Sequence, residues 1–365
     1  MRSHSAFLLL TCLLLAAGCS SDDDDAAPGG NSDPLDGSGA ADASTSDDTA
    51  TDDDASDSST PTEDTAADTD EGSGDPDVLV GAFQIQLIPA SDGSGSIPAV
   101  EGHTTVYGKV FNGPTPETIE WEAQSTDGDC TLYTPHVPYC ETPCGGAAAC
   151  VADNTCQAYP RSQGLGTVTL AGVTTADGAT SFDMTPISNG YQPPASVSLP
   201  FDAFAAGDRI AIQTSGGDTV APFSVETRGI EPLSLTSTDF QLDGSRPITV
   251  AWTAGAEPSA RISVKLDISH HGGSKGKILC DTADDGELVI GSELAGALRD
   301  LGVSGFPTIV VSRSATGSTA IRAGRVDLVT SSILEVPVTV PGLVSCNSDD
   351  DCPDGLTCQT DLSCQ

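Results

Sequence analysis

From Val78 to about residue 343 the chain is written in short runs that alternate apolar and polar side chains and are broken by Gly, Pro, Asn and Asp. A period of two sends successive side chains to opposite faces of a strand, so these runs half-bury sheets and lack the apolar stripe of a helix. VLVGAFQIQLIP opens the series with Phe83, Ile85 and Leu87 on one face. TTVYGKVF, TIEWEAQ, GTVTLAGV, ASVSLPF, DRIAIQT, APFSVET, PITVAWT, ARISVKLDI, PTIVVSR and RVDLVTS continue it. Turn residues at strand-length intervals predict antiparallel sandwiches rather than βαβ units.

One departure is SELAGALRDLG at 292–302. It has Ser292 as expected N-cap, Glu293 in the first turn, Leu294, Leu298 and Leu301 at helical spacing, and Gly302 as a stop. The fold class expected is therefore all-β: two antiparallel β-sandwich domains with one short helix, small disulfide-rich modules and a disordered N-terminal tether. An immunoglobulin-like sandwich takes about 100 residues, so this stretch divides into two, with the join near Gly229 to Leu233. The domains then run 78–229 and 230–343. Each holds one tryptophan, Trp121 and Trp252, expected to point into its core.

Composition decides what precedes the body. Residues 20–77 are Asp, Ser, Thr, Ala, Gly and Pro almost throughout, with two Glu, no Lys, Arg or aromatic residue, and Leu35 as the one large aliphatic. Such a segment buries too little apolar surface to offset its ordering entropy, so a disordered tether is expected at 19–77. Random-coil scaling gives it a span of roughly 40 to 45 Å, which charge repulsion extends. It carries about half of the formal net charge of -39. That charge argues against nucleic acid as a partner, since phosphate binding needs clustered Lys and Arg.

The first residues, MRSHSAFLLLTCLLLAAGCSS, put Arg2 before an apolar stretch from Ala6 to Ala17 that is shorter than the roughly 20 residues of a spanning helix. This predicts a signal peptide at 1–18. The small residues Ala16, Ala17 and Gly18 before Cys19 make LAAGC, which resembles the lipobox of bacterial lipoproteins. The resemblance implies that the Cys19 thiol is lipidated and that the signal is cut just before it. Acyl chains contribute about 0.8 kcal/mol per buried methylene, so such an anchor makes the membrane a partner without a spanning segment. The block Asp22 to Asp25 resembles the acidic signals of surface-exported lipoproteins, and Ser20 is not the Asp of an inner-membrane retention signal. The expected location is extracytoplasmic, at the outer membrane or cell surface.

In an oxidising compartment, setting aside Cys12 in the signal and Cys19 leaves ten of the 12 cysteines, an even number. Cys140, Cys144, Cys150 and Cys156 follow C-x3-C-x5-C-x5-C, and Cys346, Cys352, Cys358 and Cys364 follow C-x5-C-x5-C-x5-C. These read as two copies of one four-cysteine module, an insertion at 140–156 and a terminal unit at 344–365. If each module closes on itself, Cys130 and Cys280 pair by elimination. The three connectivities inside a module stay open, and C-x5-C is wider than zinc-finger spacing. The terminal stretch CNSDDDCPDGLTC resembles CxxDxDCPxGxxC segments of lipoproteins and secreted proteins in myxobacteria and related groups. Asn347, Asp349 and Asp351 alternate like the start of a calcium loop, but Cys352 stands where that loop needs Gly, so turn capping is expected of them.

Candidate chemistry is sparse. In ISHHGGSKGK, Gly272, Ser274 and Gly276 satisfy G-x-S-x-G, yet a strand-like KILCD follows where a nucleophile elbow leads into a helix, and no histidine follows His271 to complete a triad. His270 and His271 also look like the HHG segment of metallo-β-lactamase-type hydrolases, but the other histidines, His4, His103 and His136, are scattered. An exposed loop pair available for binding is the reading kept for them. Tyr133, Tyr139 and Tyr159 around the first cysteine module form the one aromatic platform for a sugar; the alternative is that they cover its disulfides. The sequence thus predicts a non-enzymatic binding module without cofactor or metal, whose partners are the membrane and an envelope protein or glycan; the alternatives are a structural envelope lipoprotein, and a carbohydrate-binding module or a hydrolase with an unrecognised site.

Overall fold

A computed structural model describes residues 74–92, 98–269, 273 and 275–365. Cys12, Cys19, the tether up to residue 73, His270, His271, Gly272 and Ser274 lie outside the described residues. The body is nearly all β. Its first strands are β1 (Leu79–Ile88), β2 (His103–Val110), β3 (Glu120–Asp127), β4 (Cys130–His136), β5 (Ala148–Ala152), β6 (Thr155–Ala158), β7 (Val168–Ala171), β8 (Ser181–Ile187) and β9 (Gly190–Gln192). Then come β10 (Arg209–Thr214), β11 (Ser224–Arg228), β12 (Phe240–Gln241), β13 (Ile248–Ala251), β14 (Arg261–Asp267), β15 (Lys277–Ala283), β16 (Glu287–Ile290), α1 (Ser292–Asp300), β17 (Thr308–Ile321) and β18 (Gly324–Thr339).

Fourteen strands join one sheet in the order β11-β10-β7-β8-β9-β2-β1-β18-β17-β14-β15-β4-β3, with β12 on β18. Most neighbours are antiparallel, but β1 and β12 each run parallel to β18. Phe83, Ile85 and Leu87 are fully buried, as their shared face requires. Two apolar cores result. The first gathers Phe83, Ile85, Val106, Leu170, Tyr191, Ile210, Ile212 and Leu328. The second gathers Leu132, Phe240, Val250, Trp252, Val264, Ile278, Leu294 and Ile309. The β17–β18 hairpin feeds both, because its strands of 14 and 16 residues are far longer than the runs that announced them.

The first core is closed by β11 folding back over this hairpin. Thr227 Oγ1 donates to the Ala315 carbonyl at 2.9 Å, and Thr330 Oγ1 donates to the Arg228 carbonyl at 2.6 Å. The approach is so close that a Cβ on Gly317 would overlap the Glu226 carbonyl. Gly317→Ala is therefore expected to cost about 1 to 3 kcal/mol, because backbone rather than a flexible side chain must move. A denaturant midpoint equal to that of the parent would contradict the closure. Gly108 plays a similar part in β2, where any side chain would occupy the place of the Phe83 ring.

The β3–β4 hairpin comes from the first half of the chain but packs with the second core. Cys130 stands directly opposite Cys280 across the β4–β15 pair, and the two are disulfide-bonded. Both four-cysteine modules share one connectivity, first to third and second to fourth: Cys140–Cys150 with Cys144–Cys156, and Cys346–Cys358 with Cys352–Cys364.

Three local expectations change. ASVSLPF forms no strand: Ala195 and Ser196 lie in a turn, Pro200, which has no N–H, makes a single bridge to His103, and the carbonyls of Ser198 and Leu199 accept from the isolated amides of Ala176 and Thr104. The cap position of α1 is Gly291 in extended conformation, with Ser292 already helical, whereas Gly302 does end the helix with φ of 93°. Trp252 is buried, but Trp121 is not in either core. The strand parity set by Cys130 and Leu132 turns it to the opposite face.

Candidate functional site

In β4, Cys130 and Leu132 face the second core, so Thr131 and Tyr133 point outward. Register carries that outward face across neighbouring strands. Tyr133 stands opposite Ala123 on one side and Lys277 on the other, and Lys277 stands opposite Asp267. The next row runs Thr131, Leu279, Lys265, Val310 and Glu335. Trp121 has the same parity as Ala123 and leans over β4, so that Lys277 Nζ lies 3.5 Å from its ring centroid. Attraction of the ammonium to the ring face holds both side chains in place. Burial against this surface, with Lys265 nearby, pushes the Lys277 ammonium below its ordinary 10.5. Lys265 Nζ lies 3.8 Å from Asp267 Oδ2. Trp121, Tyr133, Leu279, Lys277 and Lys265 are all half-buried, which makes this an amphipathic patch on an open sheet.

The three tyrosines singled out from the sequence sit on or beside different elements. Tyr139 is 70% exposed beside the β5–β6 turn, where its amide donates to Asp153 and its carbonyl accepts from Asn154. Tyr159 is exposed at the other end of the same hairpin, bonded to Ala147. Tyr133 belongs to the large sheet. What the sequence concealed is the Trp121–Lys277 pair, because it depends on three strands meeting in register. The parity of Cys130 and Leu132 was the one available signal.

The histidines are separate too. His103, on β2, contacts the Glu101 carbonyl through Nδ1. His136, on β4, lies 3.3 Å from Glu120 and 3.8 Å from Asp153 of the cysteine module. The hydrogen bond to the Glu120 carboxylate lifts its imidazole above the ordinary 6.5. A raised folded value means that this contact contributes fully below pH 6.5 and fades as pH climbs through the folded value. NMR titration should show the His136 ring titrating above 6.5 and moving back toward it in Glu120→Gln; an unmoved midpoint in that variant would contradict the pairing.

Asp351 Oδ2 accepts from the amides of Asn347 and Ser348, and Asp349 Oδ1 accepts from Cys358, so these aspartates cap turns. The two sulfur clusters compact enough for a metal, Cys140 with Cys144 and Cys150, and Cys346 with Cys352 and Cys364, consist of disulfide sulfurs. Among the described residues no helix is long and apolar enough to cross a membrane.

Among the described residues the most deeply buried charge is Arg313, 1% exposed, paired through Nε with Asp284 at 2.7 Å. Arg313 also donates to the carbonyls of Glu231, Pro232 and Thr253, while Asp284 accepts from Trp252 Nε1 at 2.7 Å and from the Gly255 amide. Every charged atom of the pair is used in tying the segment between the two cores to β17. Its chemistry is structural.

No protein-family model matches this chain, and no curated protein matches it. Among solved structures, the FN1–FN3 domains of chicken CNTN1 align with 64% of this chain and 71% of that one, at 9% identity and a TM-score of 0.17.

Proposed function

We propose that this chain is an exported lipoprotein, held at the outer membrane or cell surface by an acylated Cys19, whose β-sandwich body works by non-covalent binding of an envelope protein or glycan. The observation that supports it most is the pairing of all ten described cysteines in five disulfides. A body with no free thiol suits an oxidising compartment, and the LAAGC sequence supplies both the export route and the anchor. The Asp-rich stretch after Cys19 gives the body room to stand away from the headgroups.

The binding reading favours open sheet faces over enclosed cavities. Two hollows of the described residues are open to solvent, one lined by Glu226, Arg228 and Glu257, the other by Asp239, Gln241 and Arg246. Metabolic labelling with a fatty-acid analogue should tag the wild-type chain and leave Cys19→Ser untagged and released from membranes. Protease added to intact cells should clip the tether of the wild type. A mature N-terminus elsewhere than at Cys19, or an untagged chain that stays in the membrane fraction, would overturn the proposal.

A further inference from the structure

We infer that the four-cysteine module at 140–156 is an arm seated on the end of the large sheet by protonated His136 and loosened when that imidazole loses its proton, while the module at 344–365 is seated by the same kind of contact from a lysine and stays in place. Three observations carry it.

The first is that the modules present equivalent turns. In both, the third and fourth cysteines face each other across a hairpin, Cys150 with Cys156 and Cys358 with Cys364. Three residues after the third cysteine stands an aspartate, Asp153 or Asp361, and the residue after it has positive φ, 58° at Asn154 and 60° at Leu362. Each aspartate meets a basic side chain at the same distance. His136 Nε2 lies 3.8 Å from Asp153, and Lys275 Nζ lies 3.8 Å from Asp361.

The second is placement. His136 ends β4, Lys275 stands two residues before β15, and Tyr133 pairs with Lys277, so both basic residues lie at one end of adjacent strands. The N-terminal segment joins at the other end, where the Gly74 amide donates to the Ile321 carbonyl at the close of β17. Thr308, which opens β17, is in register with Asp267 and through it with Lys277. The 14 residues of β17 put about 40 Å between these ends.

The third is the chemistry of the His136 ring. Nδ1 lies 3.3 Å from Glu120 Oε2, within reach of a hydrogen bond, whereas 3.8 Å from Nε2 to Asp153 is a contact of charges alone. The charges that face the ring are acidic, Glu120 and Glu122 from β3 and Asp153 from the module. A carboxylate only accepts, so the neutral ring keeps its proton on Nδ1 for Glu120 and turns the Nε2 lone pair toward Asp153. Proton loss therefore spares the contact with the sheet and opposes the contact with the module. A lysine undergoes no such change in the range where histidine titrates. β5 and β6 form a sheet of their own, and Gln157 Nε2 ties the far end of that hairpin to the Pro114 carbonyl at 2.9 Å, so the turn can loosen while the base stays attached.

Hydrogen exchange of the full-length protein, followed by NMR and corrected for the intrinsic effect of pH, reads both turns. The Tyr139 amide donates to Asp153 and the Asn154 amide to the Tyr139 carbonyl, while Leu362 and Cys364 donate to Gln359 and Val344 in the second module. Protection of Tyr139 and Asn154 is expected to fall about two- to fivefold from about pH 5 to 8, the scale of an exposed ion pair, and that of Leu362 and Cys364 to stay level. His136→Lys should keep the first pair protected throughout, His136→Gln should leave it loosened at every pH, and Lys275→His should give the second pair the response of the first. His136 and Lys275 are partly exposed, at 40% and 33%, so these variants should keep the parent's circular dichroism. Level protection of Tyr139 and Asn154 in the wild type, the same fall in His136→Lys, a fall shared by both modules, or a second pair that stays level in Lys275→His would each overturn the inference.

Discussion

Arg313→Met is expected to lower the free energy of unfolding by about 3 to 5 kcal/mol, because it leaves the Asp284 carboxylate buried without its counter-ion. The side chains of Arg313 and Asp284 are 2% and 4% exposed. Water therefore cannot take over as partner, and the carbonyls of Glu231, Pro232 and Thr253 lose their donor in the same step. Urea titration monitored by Trp252 fluorescence is a direct readout, since Trp252 Nε1 bonds to the same carboxylate. The double variant Arg313→Met/Asp284→Leu should recover part of the loss by no longer burying a lone charge. A single variant within about 1 kcal/mol of wild type would mean that the site relaxes to admit solvent.

The second large effect is expected from the Cys130–Cys280 bridge. Its sequence separation is 150, against 10 to 12 for the four bonds inside the modules. By chain-entropy reasoning the longer loop restricts the unfolded ensemble more, so Cys130→Ala/Cys280→Ala should cost about 2 to 5 kcal/mol. A spatial consequence accompanies this. The β3–β4 hairpin is the outermost pair of the large sheet, attached through β15, and without the bond its amides should exchange faster than those of β14 or β17. Unchanged midpoint and unchanged hairpin protection would together show that β-ladder contacts alone hold it.

Much of the architecture could be read locally. Alternation in AFQIQL placed Phe83, Ile85 and Leu87 in a core, and Leu294 and Leu298 at helical spacing marked the buried side of α1. The candidate site was harder to see. Tyr133, Tyr139 and Tyr159 are near one another in sequence but occupy a sheet face and two ends of a hairpin, because the cysteine module is an insertion that separates them. Trp121 looked like core since an aromatic in a strand usually is; only its register with Pro135 shows which face it takes. For ASVSLPF, alternation was present, but its first residues form a turn and Pro200 offers no N–H, so the run makes only scattered bonds to Ala176 and Thr104 in place of a ladder.

By itself the sequence determined the strand period, the single helix, the number of cysteines available for pairing, the acidic composition of the N-terminal segment and the lipobox-like LAAGC. Each is a property of neighbouring residues or of counting, and local sterics and solvation act at that range. Tertiary structure decided the parallel pairing of β1 with β18, the transfer of the β3–β4 hairpin to the second core, the disulfide order within the modules, the Arg313–Asp284 tie and the meeting of Trp121 with Lys277. These contacts join segments up to about 250 residues apart, where the outcome depends on which apolar faces can be buried together and which buried polar groups can be satisfied at once.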